Sequence, residues 1–491
     1  MRQSVFSTAG QLAQAIHFGA MSSLDVVEAH LAQIARYNPK LNAIVTLDAE
    51  RARQLAREAD AARARGESWG PLHGVPFTAK DFYETAGLRT TAGFKGLANH
   101  IPARDATAVA RMRQAGAILL GKTNMPVLGQ DVQTNSPLLG IGNNPWDLDR
   151  TPGGSTGGGA AAVAAGLTPI ELGSDGNGSI RIPAHYCGVY GFKPTEYRVP
   201  GTGHLTDLPG KPHAFRHLAC FGPLARSVDD LKLVFSVIAG PDGHDFLVPP
   251  VPLTPASAKP LENLRLAWTS DVGGLAVTAD TSRLLASLIA CLAERGCETE
   301  ERALPFDLDA AWRIGGALTT AMAVPVVPAP LRWLGATLYP LMFPNQPFHA
   351  GMAKGLRMGI SGYMKTLTER ETFIAAIETM FDYCDAFICP VTATPAFTHR
   401  RAAVTAPGKA IDVDGKKMPY WMATVYHTSI FNLTGHPVVV IPLGLSEDGL
   451  PIGAQIVGRR WHDMEILDIA GKLAEVLGQP PVPPGYDQEP K

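Results

Sequence analysis

The stretch Thr151-Pro-Gly-Gly-Ser-Thr-Gly-Gly-Gly-Ala-Ala-Ala-Val-Ala-Ala-Gly-Leu167 leads on to Gly173-Ser-Asp-Gly-Asn-Gly-Ser-Ile-Arg-Ile-Pro183. It holds two glycine-rich turns, each holding a serine (Ser155 and Ser179), joined by a small-residue helix and the apolar run Pro169-Ile170-Glu171-Leu172. Glycine is required where the backbone takes positive φ or comes close to a ligand, so such turns aim several N–H groups at one point. An oxyanion hole is built in that way. A flexible linker would not pass at once into an Ala-rich helix and a strand. A phosphate-binding loop would need a Gly-Lys-Ser/Thr ending, which is missing. Gly153-Gly-Ser-Thr-Gly157 does match the nucleophile-elbow pattern, but an elbow serine follows a buried strand, and residues 143–152 are polar and broken by proline.

The same texture extends to both sides. Val75–Ala79, Ala117–Leu120, Val438–Pro442 and Gly453–Val457 are short enough for buried strands, and helices are expected over Ala106–Gln114, Gly158–Ala165 and Asp463–Leu477. Such alternation predicts an α/β layered fold with a central sheet. Before it, Ser22 and Asp25 form a capping-box pattern with Val27, Leu31 and Ile34 on one helical face, and Asn38-Pro39 is expected to stop that helix. An Ala- and Arg-rich helix follows from Asp48 to Arg65 and ends at Gly66. The Pro-rich stretch Val248–Pro260 reads as a surface crossing.

The 491 residues are 46% hydrophobic and 18% charged, as in a globular chain with a large core. A formal charge of −2 with both signs scattered leaves no basic stripe for nucleic acid. No run reaches the ~18 apolar residues of a membrane helix, and no signal segment opens the chain. Six cysteines without C-x-x-C spacing fit a reducing cytoplasm.

The two serine turns resemble the amidase signature family, whose defining stretch is Gly-Gly-Ser-Ser-Gly-Gly followed by Gly-x-Asp-x-x-Gly-Ser-Ile-Arg-x-Pro. The resemblance continues into Cys187-Gly-Val-Tyr-Gly-Phe-Lys-Pro-Thr195. It also covers Gly74-Val-Pro-Phe-Thr-Ala-Lys-Asp81, Leu120-Gly-Lys-Thr-Asn-Met-Pro126, Gly222-Pro-Leu-Ala-Arg-Ser-Val-Asp-Asp-Leu231 and Phe431-Asn-Leu-Thr-Gly-His-Pro437. It fades between about Gly240 and Asp382. It implies one domain over residues 1–491 with a large central mixed β-sheet covered on both faces by α-helices. The expected division is an N-terminal helical layer (1–70), a catalytic core (71–240), a variable substrate-facing region (241–385) and C-terminal core strands with a helix (386–491).

Carried over by position, the resemblance makes Ser179 the nucleophile, Ser155 the bridging serine and Lys80 the base. It implies a cis Gly154–Ser155 bond. The chemistry supports these roles: a serine hydroxyl needs a neighbouring base, and lysine serves as one only when burial keeps it neutral. A hydroxyl between them both donates and accepts a proton. The N–H groups of Gly176, Asn177, Gly178 and Ser179 are the expected oxyanion hole. The chain departs from the family pattern at Thr156, Asn177 and Val127, and the Asn177 side chain is expected to narrow the hole or add an amide near the substrate.

Asp175 and Arg181 read as a buried ion pair fixing the turn, and Lys122 and Lys193 as solvated or structural lysines. His213 and His217 have helical spacing, but Pro212 beside them argues against a metal pair, and neither metal nor cofactor is expected. Trp312, Trp333, Leu338, Tyr339, Met342, Phe343 and Phe348, within residues 310–364, either line an apolar acyl pocket or form ordinary core. The resemblance implies hydrolysis of a carbon–nitrogen bond in a linear, medium-sized aryl or alkyl amide, with ester, carbamate and cyclic-amide activity open. The alternatives are the glutaminase-type subunit of a tRNA-dependent amidotransferase and a non-catalytic binding protein. The partner expected is a small-molecule amide, not nucleic acid or a membrane, with a homodimer left open.

Overall fold

Eleven strands, the expected apolar runs among them, pair into one sheet. In chain order its strands are β1 (Ile44–Leu47), β2 (Pro76–Lys80), β3 (Ile118–Thr123), β4 (Ile170–Asp175), β5 (Tyr190–Lys193), β6 (Cys220–Ala225), β7 (Arg265–Trp268), β8 (Glu298–Glu301), β9 (Ala386–Pro390), β10 (Val438–Leu445) and β11 (Pro451–Val457). The spatial order is β1-β3-β2-β4-β6-β5-β10-β11-β9-β7-β8. β2 runs parallel to β3 and β4, and β7 runs parallel to β8 and β9. The strands between these two groups pair antiparallel, so the sheet is mixed. This computed structural model describes residues 5–205, 209, 215–254, 259–322, 324, 327–400 and 410–487.

Parallel neighbours need crossovers, and helices supply them. Those that bear on the site are α1 (Ala9–His17), α2 (Ser23–Leu41), α3 (Ala49–Ala64), α4 (Thr107–Gln114), α5 (Gly157–Ala164), α6 (Arg181–Cys187), α7 (Val228–Ile238), α8 (Leu308–Ala321), α9 (Ala329–Met342), α10 (Tyr426–Leu433) and α11 (Asp463–Leu477). Helices α1, α4, α7 and α11 pack on one face of the sheet, against Phe77, Ala79, Leu172, Val439 and Ile441. The other face takes α2, α3, α5 and α6 against Ile118, Leu120 and Val440, and further along α8 and α10 against Phe387 and Val438. The expected two-sided layering is what the chain forms.

Local signals explain several boundaries. Ser22 and Asp25 make the capping box that starts α2, with the Asp25 N–H donating to Ser22 Oγ at 2.9 Å. Asn38-Pro39 does not stop that helix, which runs on to Leu41 before Asn42 takes a left-handed conformation with φ 47°. Proline so close to the C-terminus removes only one N–H, and past the helix end the Asn38 side chain accepts from the N–H groups of Ala43 and Ile44 at 2.9 and 2.8 Å, satisfying the chain as it turns into β1. Within the Pro-rich crossing, residues 248–254 have neither helix nor strand, and residues 255–258 lie outside the described residues. Among the described residues no helix is long and apolar enough to cross a membrane.

Candidate active site

The site forms where β2 and β4 end side by side. Thr78 pairs with Glu171 and Ala79 with Leu172, which carries Lys80 up beside the last residues of β4, just ahead of the turn that begins at Gly176. Lys80 is fully buried. Its Nζ donates to Ser155 Oγ at 2.7 Å, to Ser174 Oγ at 3.0 Å and to the Ser174 carbonyl at 3.4 Å. The Phe82 ring centroid lies 5.3 Å from Nζ. Burial pulls the Lys80 ammonium down to about 7, against the opposing pull of Asp175 and Glu171. A lysine in that state is available as a base near neutral pH.

Ser155 lies in the first glycine turn, ahead of α5, and no β-strand leads into it. The Gly154–Ser155 peptide is cis. The Ser155 side chain is buried among Lys80, Phe82 and the turn at Gly129. The two serine turns are joined through the main chain, where the Thr156 N–H donates to the Ser179 carbonyl at 3.1 Å. Ser179 is half-buried, and its hydroxyl has no hydrogen-bond partner among the described residues. The structure thus links Lys80 to Ser155 directly and places Ser179 on the adjoining turn.

That second turn is shaped by a charge pair. Asp175 and Arg181 are both fully buried, with Arg181 Nη2 3.0 Å from Asp175 Oδ1 and Nε 3.0 Å from Oδ2. Asn432 on α10 joins them, its Nδ2 donating to Asp175 Oδ1 at 3.0 Å, while Arg181 Nη1 donates to Gln455 Oε1 at 2.7 Å. Burial pushes the Asp175 carboxyl up, but the charge and hydrogen bonds of Arg181, with Lys193 and Asn432, hold it well below the usual carboxylate range. The fixing role expected for this pair is what the geometry shows.

The same carboxylate engages one of the four expected oxyanion donors. The Gly178 N–H donates to Asp175 Oδ1 at 2.7 Å. The N–H groups of Gly176, Asn177 and Ser179 have no partner among the described residues. Gly178 has φ 116°, and a Cβ there would run into Thr428 Oγ1. Thr428 holds the turn from outside by donating to the Asn177 carbonyl at 2.7 Å.

Sequence reasoning did not single out Ser174, Thr428 or Asn432. Ser174 lies inside the quoted stretch, beside Asp175, so proximity to the second turn was its available signal. The other two reach the site only through the packing of α10. Lys122 and Lys193 are fully buried, which leaves the structural half of their expectation. Lys122 donates to the Tyr83 carbonyl and to Thr85 Oγ1 at 3.0 Å, and Lys193 to the Pro194 carbonyl at 2.9 Å. His213 and Pro212 lie outside the described residues, and His217 is held by the hydroxyls of Tyr197 and Tyr363 at 2.7 and 2.6 Å. Among the described residues no cluster of His, Cys, Asp and Glu is arranged to hold a metal ion.

The aromatic set divides. Trp312, Phe343 and Phe348 are buried, with the Trp312 ring 4.7 Å from that of Tyr426. Trp333 and Leu338 on α9 point to solvent. Trp312 and Phe348 pack on Tyr426 of α10, two residues before Thr428, and so touch the element that holds the second turn, while Phe343 stacks on His349.

A family model described as "Amidase" matches residues 25–467. The chain is similar to a glutamyl-tRNA(Gln) amidotransferase component of Roseiflexus castenholzii, the A-type subunit of that enzyme, 33% identical over 96% of this chain and 95% of that one. It is similar to an acylamidase of Rhodococcus erythropolis, 31% identical over 96% and 95%. Among solved structures, a bacterial aryl acylamidase of the amidase signature family superposes with a TM-score of 0.79 at 28% identity, covering 96% of each chain.

Proposed function

The chain belongs to the amidase signature family of hydrolases, and from that footing we propose that it is a stand-alone amidase working through an acyl-enzyme on Ser179. The observation that carries the reading is the buried Lys80 within 2.7 Å of Ser155 Oγ. Neutral Lys80 takes the proton of Ser155, and Ser155 takes that of Ser179, whose oxygen attacks the substrate carbonyl carbon. The developing oxyanion is met by the N–H groups of Gly176, Asn177 and Ser179, while Gly178 serves the turn through Asp175. As the carbon–nitrogen bond breaks, Ser155 returns a proton to the leaving amine and is itself resupplied by Lys80. Water then releases the acid by the same route.

The substrate we assign is a medium-sized aryl or alkyl amide, with ester, carbamate and cyclic-amide cleavage open to the same chemistry. The aromatic group on α8 and α10 beside the Ser179 turn supports this reading, with residues 241–385 as the substrate-facing region. The partner is then a small molecule, alone or with a second copy in a homodimer, and six free cysteines suit a cytoplasmic setting.

The name of the Roseiflexus relative favours a second reading, the glutaminase-type subunit of a tRNA-dependent amidotransferase. Hydrolysis of a panel of anilides, alkyl amides, carbamates and esters by the purified chain separates the two. Turnover of anilides by the chain alone is the expected result. Activity on glutamine alone, and only with partner subunits added, would overturn it.

A further inference from the structure

Behind Lys80 lies a second fully buried titratable group that the acyl transfer does not use. Glu171 on β4 pairs with Thr78, two residues before Lys80 on β2, so strand alternation puts Thr78, Lys80 and Glu171 on one face of the sheet. Thr123, the cross-strand partner of Lys80 on β3, donates its hydroxyl to Glu171 Oε1 at 2.6 Å. Glu171 Oε2 has no hydrogen-bond partner among the described residues. Helix α5 lies over this face and is shaped to the acid, since a Cβ at Gly159 would collide with the Glu171 side chain. An apolar side chain would fill this position without the desolvation that a carboxyl suffers there.

The titratable group beside Glu171 on this face is Lys80 from β2, while Lys122 from β3 and Tyr83 from the segment after β2 interact with it electrostatically from the opposite face of the sheet. Helix α5 contributes only Gly, Ala and Val. Lys80 also faces Asp175 and the buried ring of His204. We propose that Glu171 is a positioning residue for the reaction: it sets the proton occupancy of Lys80 from the neighbouring strand, holding a proton on the lysine when ionised and freeing the lysine as base when protonated. Burial lifts the Glu171 carboxyl to about 7, against the hydrogen bond of Thr123 and the charges of Lys122 and Lys80. Burial pulls Lys80 into the same range, and the charge of each group bears on the other.

This inference rests on Lys80 being the base, and the experiment separates the two ideas. The pH profile of kcat/KM on a neutral anilide is measured for the unaltered chain, Glu171→Gln, Thr123→Val and Lys80→Met. Glu171→Gln removes a charge that favours protonated Lys80, so the acidic limb moves to lower pH by about one unit with the alkaline plateau kept. Thr123→Val weakens ionised Glu171 and moves the limb the same way by less. An acidic limb unmoved in the folded variants, with Lys80→Met inactive, overturns the role of Glu171 and leaves the base assignment standing. Retained activity in Lys80→Met overturns both. If Glu171→Gln does not fold, Thr123→Val decides.

Discussion

Lys80 Nζ lies 2.7 Å from Ser155 Oγ, and both groups are shut away from water beneath the Phe82 ring. Burial that pulls the lysine to about 7 makes this contact pH-sensitive within the working range of an enzyme. Below that value the lysine is protonated and cannot accept from Ser155; above it the neutral amine can. Activity on a non-ionising anilide should therefore fall about tenfold per pH unit on the acidic side and level off above neutrality. A profile flat down to pH 5 would remove Lys80 from the role of base.

Ser179→Ala and Ser155→Ala are expected to differ in kind. Without the Ser179 hydroxyl no acyl-enzyme forms, so labelling by a serine-directed phosphonate should vanish. Without the Ser155 hydroxyl the nucleophile remains but its proton path is broken, so labelling should persist and slow by roughly 10²–10⁴-fold. Because the residues act as a unit, the double variant should be little worse than Ser179→Ala. Mass spectrometry of the intact protein reads all three, and a label on Ser179→Ala would mean that another residue is the nucleophile.

Much of this site was legible in the chain because glycine turns and short apolar runs are local signals. Ser155 and Ser179 fell in two recognisable turns, Lys80 closed an apolar run, and β2, β3, β4, β10 and β11 lie within a few residues of the runs read as strands, while the other strands of the sheet carried no such signal. The engagement of the Gly178 N–H by Asp175 was not legible, since it depends on how the turn closes over the end of β4. Thr428 was hidden, and Asn432, although inside the matching run Phe431–Pro437, carried no sign of its link to the turn, as about 250 residues separate both from it. The continuation of α2 through Pro39 shows the same limit, because the helix end is held by N–H groups beyond it that donate to the Asn38 side chain.

Arg181→Met should cost about 3–5 kcal/mol, since it leaves Asp175 ionised and buried with its main partner gone. The carboxyl is held below its ordinary value, so its contribution to stability is present above the unfolded carboxylate value of about 3.9 and is lost as pH falls through its lowered folded value. Urea unfolding at neutral pH checks the loss, and Asp175→Asn combined with Arg181→Met should recover part of it. A single Arg181→Met variant as stable as the unaltered chain would show that the pair does not fix the turn.

Gly178→Ala tests the second turn more finely. A left-handed φ of 116° disfavours any side chain, and the new methyl would press on Thr428 Oγ1, which holds the Asn177 carbonyl. A cost of about 1–3 kcal/mol in stability is expected from the backbone alone. Displacing Thr428 also disturbs the Asn177 and Ser179 N–H groups, so kcat should fall more than KM rises. Thermal melts and steady-state kinetics on one anilide measure the two effects, and an unchanged kcat would free these N–H groups of any part in the reaction.

Two tryptophans from the region read as either pocket or core should behave in opposite ways. Trp312 is buried, donates its indole N–H to the Tyr426 carbonyl at 3.1 Å and lies with its ring tilted 4.7 Å from the Tyr426 ring, on the helix that carries Thr428. Its replacement by alanine should cost about 3–5 kcal/mol. The same cavity loosens α10, so the rate on bulky anilides should drop with it. Trp333 is 62% exposed on α9, with Arg357 stacked over it at 4.4 Å, and its replacement should change stability by less than about 0.5 kcal/mol. If Trp333→Ala instead shifts KM for large amides while leaving small ones untouched, the substrate reaches the outer face of α9, and the apolar group at Trp312 is core alone.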